Sequence, residues 1–247
     1  LEEPDNIYAS VLSHADDRIG EVLDALDRLK LTDNTLVIFS SDNGPARAAR
    51  PTELKLMHDT ATGAGYGIGG AKGITGGRKG YKSALFEGGI GVPFIARWPH
   101  KIAAGKVDES SLVSAVDLLP TFCEVAGVKL PENYKPDGIS QVSTLMGKAS
   151  PVRTKPLFWK MASAWPIRKT QPYHWVSYAV VHENWKLLTN RDATHAELYD
   201  ITVDPFETTN LSDSKPAVVS KLKKQVDQWK ATLPESPSGN VFSSERR

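Results

Sequence analysis

The run Thr35-Leu-Val-Ile-Phe39, followed by Ser40-Ser-Asp42-Asn43-Gly44-Pro45, constrains this chain more than any other stretch. Its consecutive apolar or β-forming residues predict a strand buried on both faces, the usual state in a parallel sheet. The run then stops abruptly. Gly and Pro enforce a turn, and Asp and Asn are turn residues that also carry oxygen donors. A carboxylate and an amide oxygen therefore sit together just past the carboxyl end of a buried strand. In open α/β sheets, ligands bind at that edge. Adjacent Asp42 and Asn43 oxygens suit a hard divalent cation, calcium or alternatively magnesium. Taken alone, the same residues also make an ordinary turn.

A second stretch reads Gly80-Tyr-Lys82-Ser-Ala-Leu-Phe-Glu87-Gly88-Gly89, and runs on to Val92-Pro-Phe-Ile-Ala-Arg97-Trp98-Pro99. In this order and spacing the two stretches resemble the type I sulfatases of the alkaline-phosphatase superfamily. Asp117-Leu-Leu-Pro-Thr121, Asp137-Gly138, Asn184-Trp-Lys-Leu-Leu188, Glu197-Leu-Tyr-Asp200 and Asp204-Pro-Phe-Glu-Thr-Thr-Asn210-Leu211 extend the resemblance over nearly the whole chain. It implies an α/β protein. Part of an alkaline-phosphatase-like, mostly parallel sheet sandwiched by helices would occupy residues 1–150. A small antiparallel sheet with a packed C-terminal helix would follow in 151–233. Residues 234–247, rich in Pro, Ser, Gly and charge, read as a disordered tail.

Sulfatases hydrolyse sulfate esters around one divalent cation, usually calcium. A Cys or Ser in a Cys/Ser-x-Pro-x-Arg sequence becomes formylglycine, whose hydrate attacks sulfur. By motif position, Asp42 and Asn43 resemble two of the metal ligands and Lys82 the sulfate-binding lysine, while Glu87 reads as structural. A cation and an ammonium would stabilise the negative charge of the ester and its transition state. The nucleophile motif has no counterpart here. Cys123 is followed by Glu-Val-Ala-Gly, and Ala164-Trp-Pro166-Ile-Arg168 carries alanine where the nucleophile would stand. The resemblance covers the second half of a usual sulfatase, and the chain opens on Leu1 rather than Met. Half an active site is therefore expected, inactive until an N-terminal portion is supplied. The implied partner is a sulfated small molecule or glycan, and the implied location periplasmic, secreted or lysosomal. A phosphomonoesterase or phosphodiesterase of the same superfamily, or a truncated glycan- or partner-binding protein, are the alternatives.

Between the two motif stretches, residues 46–79 carry no helix or strand period. They are rich in glycine, and their charges are mostly basic: Arg47, Arg50, Lys55, Lys72, Arg78 and Lys79. A long irregular loop of this kind is usually functional or disordered. His58, Lys72 and Arg78 are candidates for contacting an anionic substrate, and a solvated surface loop is the alternative. The formal net charge of +1 argues against nucleic acid or a membrane surface as partner. No apolar run approaches the roughly 20 residues of a membrane span. Cys123 is the single cysteine, which excludes an intrachain disulfide or Cys-cluster metal site and reads as inert core.

Elsewhere, periodicity sets the expected elements. Ile7, Val11, Ala15, Ile19, Val22, Leu26 and Leu29 predict an amphipathic helix over 7–30, with His14 on its solvated flank. Val92 to Trp98 reads as a second buried strand, and Val113 to Val116 as a short one. Asp117 would cap a helix that Gly127 stops. Leu157–Lys160, Trp175–Val181, Trp185–Thr189 and Glu197–Asp200 predict the antiparallel sheet. Val219, Leu222, Val226 and Trp229 make one stripe of a helix near 216–233.

Overall fold

The computed structural model describes residues 5–45, 73–161, 173 and 175–234. The chain is a mixed α/β protein, as expected. In order it runs α1 (Asp5–Arg28), β1 (Val37–Ser40), α2 (Glu87–Ile90), β2 (Phe94–Arg97), α3 (Leu118–Val125), α4 (Val142–Leu145), β3 (Leu157–Lys160), β4 (Tyr178–His182), β5 (Trp185–Thr189), β6 (Ala196–Asp200) and α5 (Pro216–Lys230). Among the described residues no helix is long and apolar enough to cross a membrane.

The C-terminal sheet has the order β3-β4-β5-β6, antiparallel throughout. Register and alternation sort its side chains cleanly onto two faces. Val180, Leu187 and Leu198 align across three strands on one face and pack on Leu222 and Val226 of α5. Phe158 stacks on Trp229 there, ring centroids 4.9 Å apart. On the opposite face, Ala179, Leu188 and Tyr199 pack against Ala84, Leu85 and Phe86. The segment after Lys82 is thus the second layer on this sheet, and this packing brings the two motif regions of the chain together.

β1 differs from expectation. It pairs antiparallel with β2, Val37 opposite Arg97 and Ser40 opposite Phe94. Phe39 and Ile95 remain exposed. An apolar run tells that a strand wants cover, but it does not name the neighbour, and among the described residues only β2 lies beside it. The stripe of α1 is similar: Val11, Ile19, Val22 and Leu29 are exposed, as is His14. The helix itself forms where periodicity puts it.

Two further expectations are corrected near residue 115. Val113–Val116 is no strand; Ala115–Asp117 forms a 3₁₀ turn. Asp117 stands at the N-cap of α3, but its side chain makes no capping hydrogen bond there. Its carboxylate is fully buried, accepting from the Ser114 N–H at 2.8 Å, the Ile139 N–H at 2.9 Å and Arg153 Nη2 at 2.5 Å. A buried carboxylate needs a charged partner more than a helix end needs a cap. Gly127 stops the helix as expected, at φ 65°. Cys123 is half-buried on α3 rather than in the core.

Candidate active site

β1 ends at Ser40, whose hydroxyl donates to the Pro93 carbonyl at 2.9 Å and ties the strand end to the entry of β2. The loop that follows is set by short-range bonds. Ser41 Oγ donates to the Asn43 carbonyl at 2.9 Å, and Asn43 Nδ2 donates to the Gly44 carbonyl at 3.0 Å. The second bond uses the amide's donor and leaves Asn43 Oδ1 as an acceptor.

The two motif stretches are joined backbone to backbone. The Gly44 N–H donates to the Gly89 carbonyl at 2.9 Å, and the Lys82 N–H to the Pro45 carbonyl at 2.8 Å. A Cβ on Gly44 would stand 1.9 Å from the Gly88 carbonyl oxygen, so the approach requires glycine. Gly44→Ala is expected to separate the loops and cost about 1–3 kcal/mol of stability, read by chemical denaturation. Lys82 is presented by a sharp turn in which Ser83 adopts φ 71°, a conformation uncommon outside glycine.

Asp42, Asn43 and Lys82 line one cleft of ≈ 570 Å³. Trp159 and Met161, from the edge strand β3 and the residue after it, form part of its apolar wall. Glu87 borders the same cleft, but its carboxylate is committed to Lys186 at 2.7 Å, which fits the structural role expected for it. Two oxygen donors do not complete a calcium shell, which takes about six to eight. Among the described residues no group of three His, Cys, Asp or Glu side chains could hold a metal ion. The donor types of Asp42 and Asn43 fit a hard cation, as part of a larger set.

The other candidates separate. His58 and Lys72 lie outside the described residues, as do the Ala164–Arg168 sequence and the tail from 235. Arg78 is exposed and does not line the cleft; its carbonyl accepts from Thr75 Oγ1 at 2.9 Å. Lys79, grouped with the basic loop, bonds instead to Glu197 Oε2 at 3.1 Å and to the Tyr199 hydroxyl at 2.8 Å. Its ammonium also sits 4.6 Å from the Phe86 ring centroid. Burial first, and the Glu197 carboxylate second, push the Tyr199 phenol above its ordinary value. Sequence reasoning missed Lys186 and Glu207, both fully buried. The available signal was a lysine inside the apolar run Trp185-Lys-Leu-Leu188.

The sulfatase family model matches residues 2–128, and the N-sulphoglucosamine sulphohydrolase C-terminal model matches 78–232. An N-acetylgalactosamine-6-O-sulfatase of Bacteroides thetaiotaomicron is 31% identical over 89% of this chain and 41% of its own length. Human steryl-sulfatase is 30% identical over 94% of this chain and 41% of its own. The crystal structure of Ps i-CgsB in complex with k-i-k-neocarrahexaose is similar at TM-score 0.71 and 26% identity, over 93% of this chain and 44% of that one. The chain thus spans well under half of these relatives. The sulfatase family model by itself matches more than half of the sequence, and the second model continues the match to residue 232: the chain belongs to the sulfatase family.

Proposed function

We propose that this chain supplies part of the active site of a sulfuric ester hydrolase that acts on a sulfated carbohydrate. The carrying observation is that Asp42, Asn43 and Lys82, from stretches about forty residues apart, line one cleft with their loops bonded together. Asp42 and Asn43 are two oxygen ligands of a divalent cation, calcium in preference to magnesium. When bound, that cation supplies Lewis-acid polarisation of the sulfate oxygens. Lys82 holds the sulfuryl group by charge and hydrogen bonding. It gains most where negative charge grows as the S–O bond breaks. The apolar wall at Trp159 and Met161 excludes water from one side, as ligand clefts commonly do. The carbohydrate substrate is favoured by the galactosamine sulfatase relative and by the oligosaccharide in the neighbouring structure.

The fold supports a division at about residue 150. The sheet β3–β6 shares a core with α5 on one face, while its other face packs on the Ala84–Phe86 segment, and the loops bearing Asp42, Asn43 and Lys82 come from the part before it. The nucleophile is assigned to a part of the enzyme beyond this sequence, because no Cys/Ser-x-Pro-x-Arg occurs here. The test is turnover of 4-nitrocatechol sulfate with and without calcium. The isolated chain is expected to be inactive, and the chain joined to a sulfatase N-terminal portion active. Metal-dependent turnover by the isolated chain would refute the half-site assignment. Faster cleavage of 4-nitrophenyl phosphate than of the sulfate by the joined protein would move the reaction to phosphate esters.

A further inference from the structure

Lys186 is fully buried in β5, on the sheet face that meets the Ala84–Phe86 segment. A buried ammonium is costly unless paired. Its Nζ lies 2.7 Å from Glu87 Oε1 and 2.9 Å from Glu207 Oε1. The other oxygen of Glu207, Oε2, accepts the Glu87 backbone N–H at 2.7 Å. One end of Glu87 is therefore held by an ion pair and the other by a carboxylate, and both holds come from the C-terminal sheet region.

Glu207 is itself forced into place. It adopts φ 56°, and its N–H donates to the Asp204 carbonyl at 3.2 Å. The Asp204 carboxylate accepts the Thr208 and Thr209 N–H groups, each at 2.9 Å, which closes the turn around Glu207. The sheet gains little from this arrangement. Well-packed apolar residues in place of the whole cluster would suit a buried sheet at least as well, since buried ion pairs seldom add net stability. What the network does accomplish lies on the other side of the interface. Glu87 ends the turn that begins at Gly80 and presents Lys82. The same turn is closed by the Gly88 N–H bond to the Lys79 carbonyl, 2.7 Å, and leans on Pro45 through the Lys82 N–H.

We infer that Lys186 and Glu207 are positioning residues for Lys82: by gripping Glu87 they fix the Gly80–Glu87 turn, and with it the lysine that shares a cleft with Asp42 and Asn43. Neither residue lines the cleft. The inference rests on the proposed sulfatase reading for what Lys82 does, and not for how it is held.

The experiment is native-state hydrogen exchange on the full chain, comparing wild type with Glu207→Ala and Glu207→Gln. Local opening is read separately from global unfolding by this method. Glu207→Ala removes the acceptor of the Glu87 N–H and leaves Lys186 paired with Glu87. Exchange at the Lys82, Gly88 and Gly44 amides is expected to rise at least tenfold, with Leu187 and Leu198 amides unchanged. Glu207→Gln retains an acceptor and is expected to restore protection. Acceleration confined to the Glu87 amide would overturn the inference, because the grip would then not reach Lys82. Equal acceleration at the turn and in β5 and β6 would overturn it too, because the role would be stability alone. Catalysis does not enter this readout. Absence of sulfatase activity in the joined protein would count against the proposed function and leave the positioning result standing.

Discussion

Lys186→Met is expected to lower the thermal midpoint by about 10 °C, the largest stability loss of any single substitution argued from this fold. Removing one partner of a buried ion cluster costs about 3–5 kcal/mol, and each kcal/mol moves a chain of this size by about 2–4 °C. The loss is large because the variant leaves two carboxylates facing each other without a cation. Glu207 is completely buried and Glu87 keeps some exposure. Scanning calorimetry of the single variant and of Lys186→Met with Glu207→Gln checks the cause. The double variant is expected to recover much of the loss, because neutralising the buried carboxylate removes the unpaired charge. Equal midpoints for the two variants would show that lost packing at position 186 is responsible.

The same cluster predicts a pH dependence with a defined sign. Burial pushes the Glu207 carboxyl above its ordinary value, against the opposing pull of Lys186. The folded state therefore binds this proton more tightly than the unfolded state does. Its contribution to stability is fully present below the unfolded carboxylate value and is lost as pH rises through the window up to the raised native value. In Glu207→Gln that part of the pH dependence is expected to vanish, which urea melts across the window measure directly.

Lys82→Ala is expected to reduce kcat/KM for 4-nitrocatechol sulfate about 10²–10³-fold in the joined, calcium-loaded protein. That is the scale seen when one preorganised donor to developing negative charge is removed. The loss should fall mainly on kcat, since charge on the leaving oxygen and sulfuryl group grows in the transition state. Lys82 is exposed, so the thermal midpoint is expected to stay within a degree or so of wild type. Steady-state kinetics with a parallel melt separates the two effects. A change confined to KM would reassign Lys82 to ground-state binding, and unchanged kinetics would remove it from the site.

Much of this protein is written in short-range pattern. The strands Leu157–Lys160 and Trp185–Thr189 and the stripe Val219, Leu222, Val226 and Trp229 form where periodicity predicts them, because alternation and helical repeat are properties of neighbouring residues. The turn chemistry of Ser41–Pro45 and the glycines of Gly88-Gly89 likewise announce a strand end and a close approach. Asp42 and Asn43 could be named as oxygen donors from that turn, and Lys82 from the resemblance of its stretch to the sulfatases.

Their assembly could not. Only the folded chain sets Gly44 against Gly89, pairs β1 antiparallel with β2, and leaves Phe39 exposed on a run whose composition asks for burial. Only the folded chain turns Lys79 from one charge of a basic loop into a partner of Glu197, and gathers Glu87, Lys186 and Glu207 into one cluster. The physical reason is common to these cases. Local propensity acts through neighbours along the chain and is legible in sequence. Strand partners, charge partners and the burial that makes a charge consequential depend on residues tens of positions to more than a hundred positions away, which only tertiary packing brings within reach.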